Sequence, residues 1–407
     1  MSINRRQFLT QSGLSFVSVA ALAPRLLAQV AAEAEQADLN DHVLVVIELT
    51  GGNDGLNTLI PFENNLYYKN RRTLGIAKES VHRLSDQVGL HPALEPLAEL
   101  FREGRLAVVQ GVGYPEPDRS HFRSMEIWHT ASTDRRVPDT GWLGRVVDTA
   151  SKKGGSSDPP LAGLALTGAL PQALRASKLV VPVVGELETF AGAPNDQQPQ
   201  VALSRRLSSP SGKGTGPVKF LREQATGLYR TADRLKEAQA KYRSTVEYPV
   251  SSLGGQLKRV AQILAGGLEA RVLYAAQDGY DTHAAQGEQH AALLGDLAGS
   301  LAAFDRDLRG LGLADRVTTL VFSEFGRRVD ENSSAGTDHG AASCLFVTGA
   351  QVKGGLHGDY PSLERLGEGD LIHTTDFRSV YATLLDQWLG CSSAKVLGSE
   401  FPPVGLL

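Results

Sequence analysis

Four groups of residues in this 407-residue chain carry side chains that could do chemistry, and each follows a β-branched hydrophobic run. The run from Val43 to Leu49 leads into Gly51-Gly52-Asn53-Asp54-Gly55. The run from Leu106 to Gly113 leads into Asp118-Arg119-Ser120-His121. Arg271 to Ala276 precedes Asp278-Gly279-Tyr280-Asp281-Thr282-His283, and Val317 to Phe322 precedes Ser323-Glu324-Phe325-Gly326-Arg327. A further group, Asp338-His339-Gly340, lies in a Ser/Gly/Thr loop before another strand-like run. Carboxylates, imidazoles and a serine hydroxyl brought together would suit a divalent metal ion and the hydrolysis of an ester.

Each group also has an ordinary structural reading. Asp54 in a Gly-rich turn is an oxygen ligand or a turn residue bonded to its own backbone. Ser120 opens a helix, so it is an N-cap or a nucleophile beside the free N–H groups of the first turn. His121 adjoins it, and Arg119, Arg123 or Arg327 offer forks for phosphate or sulfate oxygens. Asp281 and His283 fall on one side of an extended segment, where carboxylate oxygen and imidazole nitrogen together suit zinc or manganese. Glu324 is a ligand or an ion-pair partner of Arg327 or Arg328. His339, next to Asp and Gly in a loop, has little reason to be core. His357 is a weaker case of the same kind. His290 is expected to face solvent, and His42, His82, His91 and His373 have no comparable context.

The elements that must position these residues follow from pattern. Short apolar runs separated by long helical stretches read as parallel strands of an α/β sheet, whose sites form at the strands' carboxyl ends. Further strands are expected at LAGLAL and LVVPVV. Helices are expected near Val218 to Tyr242, Ser252 to Glu269, Glu288 to Arg309 and Thr375 to Leu389, the third with Leu293, Leu297, Leu301 and Leu308 on one face. Ser151 to Pro160 and Asn195 to Gly216 read as loops rich in Pro, Ser and Gly. The expected architecture is a single three-layer α/β/α sandwich over residues 42–407 with a mostly parallel sheet.

The ends and the composition narrow the setting. Arg5-Arg6 followed by Phe8-Leu9 matches a twin-arginine export signal, with cleavage after Ala23, Ala28 or Ala32. Residues 1–32 are thus expected to be a signal and linker, read by the twin-arginine export machinery, and the mature protein to lie in the periplasm or at the cell exterior. The apolar stretch from Leu14 to Ala23 is shorter than the roughly 18 to 20 residues of a membrane span, and no later stretch is longer. A formal charge of -4 and the lack of a basic stripe argue against nucleic acid. The 2 cysteines, Cys344 and Cys391, rule out a disulfide scaffold and read as separate buried residues.

The ordered set LTGGNDGLNTLIP, DRSHF, DGYDTH, SEFGRR and GTDHG resembles the bacterial family described as domain of unknown function 1501. The resemblance covers essentially the whole mature chain and implies an alkaline-phosphatase-like fold, shared with sulfatases. It further implies a Ser nucleophile, Ser120, and metal ligands at Asp54, Asp281, His283, Glu324 and His339. Three departures from the superfamily pattern stand out. Asp281 and His283 are closer in sequence than usual, Glu324 replaces Asp, and Phe325 stands where a second ligand, His, is usual. The expected function is metal-dependent hydrolysis or transfer at a phosphate or sulfate ester of a small molecule or glycan, with zinc, manganese or calcium as cofactor. Ser120, His121 and Arg119 are the expected catalytic residues. A non-catalytic envelope protein binding a glycan or partner through the same edge is the alternative. A metal-free Ser/His/Asp hydrolase ranks below both, because no G-x-S-x-G elbow surrounds Ser120.

Overall fold

The computed structural model describes residues 41–150, 162–185 and 233–407. The signal, both Pro/Ser/Gly loops and the first part of the helix expected from Val218 lie outside them. An eight-stranded sheet forms the centre. Its strands are β1 (Val43–Thr50), β2 (Leu106–Gly113), β3 (Gly163–Ala165), β4 (Val272–Asp278), β5 (Val317–Ser323), β6 (Ser343–Gly349), β7 (Gly355–His357) and β8 (Thr375–Asp376). The order is β7-β2-β6-β5-β1-β4-β3, with β8 also paired to β2. All run parallel except β6, which is antiparallel to both β2 and β5. The fold is therefore α/β with a mostly parallel sheet, as expected.

The pleat divides the core in two. In β1, Val43, Val45, Ile47 and Leu49 point to one face, while Leu44 and Val46 point to the other. The first face packs against α2 (Glu95–Arg102), α5 (Ser252–Ala265) and α6 (Gln286–Gly310). The second packs against α3 (His121–Thr130), α4 (Trp142–Ala150) and α7 (Phe377–Thr383). A strand covered on both faces is apolar at nearly every position, which is why β1 reads as a near-continuous hydrophobic run interrupted only by Glu48 before its end. Cys344 and Cys391 are free, buried and divided between the two cores.

Several boundaries differ from expectation. α5 stops at Ala265, followed by Gly266 and by Gly267 in the left-handed region. The final helix starts at Phe377, because Thr375 and Asp376 pair with β2 and the Asp376 carboxylate then caps the backbone N–H of Arg378. LVVPVV makes only one bridge, Ala165 to Val183. His290, expected to face solvent, is 2% exposed and bonded to the Asn53 side chain at 2.9 Å. Asn53 turns an unremarkable helix position into part of the core, and burial brings the imidazole down to about 4.

Two register facts align the chemistry. Leu49 pairs with Ser323 and Thr50 with Asp278, so β5, β1 and β4 end level with one another. Because β6 is antiparallel, its first residue, Ser343, pairs with Val112 near the end of β2. The loop before β6 thereby reaches the same edge as the loops after the other strands.

Candidate metal centre

His121 is the first residue of α3 and stands against the end of β5. Its Nδ1 lies 2.9 Å from Oε1 of Glu324, a fully buried carboxylate. Oε1 of Glu324 also accepts the Gly51 backbone N–H at 2.9 Å, and Oε2 accepts the Ser323 hydroxyl at 2.9 Å. Glu324 is thus held by three protein groups and stands behind His121. That hydrogen bond, opposed by burial, raises the His121 imidazole above its ordinary pKa.

His339 and His283 are held in the same way. His339 Nδ1 lies 2.8 Å from the Arg119 carbonyl, and His283 Nδ1 lies 3.1 Å from Oδ1 of Asp338. With Nδ1–H donated to these acceptors, Nε2 of each neutral ring carries the lone pair. These Nε2 atoms turn toward Asp281. Oδ1 of Asp281 is 3.1 Å from His339 Nε2 and 3.0 Å from His283 Nε2, and Oδ2 is 3.5 Å from His121 Nε2. The His283 and His339 Nε2 atoms are themselves 3.0 Å apart. Ligand atoms of His121, Asp281 and His339 all lie within 4.8 Å of one another.

This donor set fits a metal ion. Lone pairs and a carboxylate held about 3 Å apart repel unless a cation or proton sits among them, and ligand bonds of about 2.0 to 2.2 Å around one ion produce such spacings. His121 Nε2 is buried without a hydrogen-bond partner, which leaves its lone pair uncommitted. Imidazoles anchored through Nδ1 by carboxylate or carbonyl are the usual outer arrangement of metal-binding histidines. Imidazole nitrogens beside one carboxylate suit zinc better than calcium, which takes oxygen ligands.

Arg327 builds the frame. It is 1% exposed, and its guanidinium donates to the carbonyls of Gly52 at 2.8 Å, Thr337 at 2.7 Å, Tyr280 at 2.9 Å and Gly51. It also donates to Oδ1 of Asp281 at 2.7 Å. Partial burial would raise Asp281, but Arg327 and then His339 outweigh it and bring the carboxyl to about 2. Gly51 and Gly52 have φ of 116° and 78°, conformations that favour glycine. A Cβ on Gly51 would lie 2.5 Å from the Asp281 nitrogen, and one on Gly52 would lie 2.3 Å from the Phe325 ring. The glycines admit protein neighbours rather than a ligand. Phe325 is 2% exposed, with its ring centroid 4.9 Å from those of both His121 and His339. It walls the centre where a further histidine was considered.

The expected ligand Asp54 does not join this group. It is 1% exposed and paired with Arg71 by two guanidinium contacts, at 2.5 and 3.1 Å, and Gln286 donates to it at 2.5 Å. A fully buried carboxylate needs a charge partner, and Arg71, outside every motif, supplies it. Burial opposes ionisation, but Arg71 holds Asp54 below the usual carboxylate range. Neither is Arg119 a free clamp. Its Nε and Nη2 lie 2.7 and 2.6 Å from Asp370 Oδ2, and Nη2 lies 3.3 Å from Glu368. Arg123 is paired with Glu126 at 2.7 Å and with loop carbonyls. Ser120 is exposed at the N-cap of α3 and makes no side-chain cap bond. Glu324, Arg119 and Asp54 were legible as polar residues after strands, but nothing in their spacing revealed which partners would occupy them. Asp338 was visible only as the neighbour of His339.

Beside His121 and Asp281 opens a cleft of about 530 Å³, lined also by Glu48, Phe122, Met125 and Glu126. Phe122 is 90% exposed there. Under the cleft Glu48 accepts the Tyr274 hydroxyl and lies 3.0 Å from His129 Nε2, a buried network the sequence did not reveal.

The chain is thus an α/β protein with a mostly parallel sheet and a histidine–aspartate cluster at the sheet's carboxyl edge. The model of the family described as "Protein of unknown function (DUF1501)" matches residues 41–391, and the chain belongs to that family. No curated protein matches it significantly. Among solved structures it is similar to the PsFucS1 sulfatase from Pseudoalteromonas sp., at 10% identity and TM-score 0.37 over 91% of this chain and 71% of that one. It is also similar to phosphonate monoester hydrolase SpPMH from Silicibacter pomeroyi, at 10% identity and TM-score 0.34 over 88% and 77%. A third is the C-terminal periplasmic domain of EcEptC from Escherichia coli in complex with Zn, at 10% identity and TM-score 0.35 over 76% and 74%.

Proposed function

We propose that this chain is an exported, metal-dependent hydrolase or transferase acting on phosphate or sulfate esters, with an alkaline-phosphatase-like fold and one divalent ion held by His121, Asp281, His283 and His339. The observation that carries this reading is the convergence of Nε2 atoms, each from an imidazole whose Nδ1 is already anchored, on a single carboxylate. When bound, the ion would act as a Lewis acid toward ester oxygens.

The chain's own groups divide the remaining work. Ser120 is the proposed nucleophile, its oxygen forming a bond to phosphorus or sulfur as the bond to the leaving oxygen breaks. The unpaired N–H groups of the first turn of α3 face the same end of the helix and favour an anion there. Glu324 and Asp338 fix the orientation of His121 and His283, and Arg327 fixes Asp281. Aryl phosphate and aryl sulfate esters should be turned over by the metal-loaded protein, and Ser120→Ala should abolish turnover while keeping fold and metal content. Equal activity of wild type and Ser120→Ala would remove Ser120 from the mechanism.

One observation favours the alternative, a binding protein built on the same edge. Arg119, Arg123 and Arg327 are each occupied by protein acceptors, so no side-chain fork waits for the anion. Metal content without turnover of any ester in the panel would select it.

A further inference from the structure

A second cleft, of about 480 Å³, has Glu324 and Phe325 in its wall and so lies directly against the metal centre. Asp370 lines it and is 1% exposed. Its Oδ2 takes both contacts from Arg119, at 2.7 and 2.6 Å. Its Oδ1 is buried and has no hydrogen-bond partner. Arg328 Nε lies 3.8 Å from Oδ1, beyond hydrogen-bond reach. A buried carboxylate oxygen without a donor calls for a specific explanation, and a bound ligand is one.

The lining says which ligand. Glu116, Glu324, Glu368 and Asp370 bring four carboxylates to the cleft, against the guanidinium of Arg119, which Asp370 and Glu368 already balance, and that of Arg328, 3.8 Å from Asp370 Oδ1. An anionic group would meet a surplus of negative charge, whereas a cationic donor would meet both that surplus and an Oδ1 that has no hydrogen-bond donor. Burial raises the Asp370 carboxyl above its usual range, a cost that a cation at Oδ1 would relieve. Ile372, 49% exposed in the same lining, offers apolar surface for a carbon skeleton.

We propose that this cleft binds the leaving-group side of the substrate, and that this side carries a protonated primary amine whose ammonium donates to Asp370 Oδ1. The assignment to the leaving group rests on the ester-hydrolase reading above; the preference for an amine rests on the cleft alone. The ammonium can be borne by an aminoalkyl chain or by an amino sugar, and the test separates the two.

The full chain, both metal-loaded and stripped with a chelator, is titrated calorimetrically with ethanolamine, glucosamine and glucose at one ionic strength. At least one amine should bind, and glucose should bind about tenfold more weakly or not at all, because hydrogen bonds to charged groups are the stronger ones. Whichever amine binds more tightly identifies the carrier. Ile372→Trp, which fills the cleft without altering a charge, should abolish amine binding. Asp370→Asn should weaken it about tenfold, with the fold checked by circular dichroism because Asp370 also holds Arg119. Absence of amine binding, equal binding of glucose, or amine binding unchanged in Ile372→Trp would overturn the proposal. Chelation should leave amine binding intact. A chain that binds amines and no metal therefore contradicts only the metal centre, and one that binds metal and no amine contradicts only this cleft.

Discussion

At the scale of single residues, the carboxylates differ in what they can do because they differ in what already holds them. Asp281 is 48% exposed on its side chain and faces imidazole nitrogens, whereas Glu324 and Asp54 are buried and held by protein partners. Glu324→Gln should keep the fold but weaken metal affinity by about 10- to 100-fold, the usual effect of removing a carboxylate behind a metal-binding histidine. Metal titration of the purified variant checks this, and unchanged affinity would show that Glu324 does not orient His121. Asp54→Asn should do the reverse. It should leave metal affinity unchanged and destabilise the fold by about 3 to 5 kcal/mol, since it strands the buried Arg71 charge. The sign of its pH dependence follows from the lowered Asp54 pKa. The stabilisation is complete above the unfolded carboxyl value of about 3.9 and is lost as pH falls through the folded value. The stability gap between wild type and Asp54→Asn should therefore narrow in acid, and denaturation curves at neutral and acidic pH measure it.

At the scale of elements, the site exists because three parallel strands end level and one antiparallel strand begins at the same edge. The parallel part was legible. Val43 to Leu49, Arg271 to Ala276 and Val317 to Phe322 are apolar runs followed by polar turns, and the strands form there within one or two residues at each end, with Asp281, His283 and Glu324 just after them. Strand direction was not legible, because hydrophobic alternation is the same for a strand read either way. His339 was read as lying in a loop before a strand, but only the antiparallel direction of that strand, β6, brings the loop to the edge where the parallel strands end. Occupancy was also hidden. Nothing local to Asp54 announces Arg71, which lies beyond a separate short helix, Asn65–Asn70. Nor does anything announce that His290 will be buried against Asn53. These pairings are set by packing, not by spacing. The close passage of β1's turn beneath the segment after β4 gives a prediction at this scale. Gly51→Ala places a Cβ 2.5 Å from the Asp281 nitrogen in a left-handed conformation. It should displace Asp281 and reduce metal affinity at least tenfold, as loss of a supporting contact does at metal sites. Wild-type affinity in that variant would show that the Gly51 approach does not position Asp281.

At the scale of the whole molecule, two hydrophobic cores on either side of one sheet leave the carboxyl edge as the place where polar loops meet. Among the described residues no helix is long and apolar enough to cross a membrane. The proposed export through the twin-arginine route predicts that Arg5→Lys with Arg6→Lys retains the protein in the cytoplasm, because the receptor reads that pair. Periplasmic fractionation of the double variant decides it, and unchanged export would refute the signal. The most direct measurement of the central claim is elemental analysis of the full chain purified without chelators, beside Asp281→Ala and His339→Ala with circular dichroism as the control for folding. The account predicts about one equivalent of a divalent transition metal per wild-type chain, as one closed set of nitrogen and oxygen ligands implies, and loss of that metal from both folded variants. Metal-free wild type that takes up none on titration, or variants that retain the wild-type content, would contradict it.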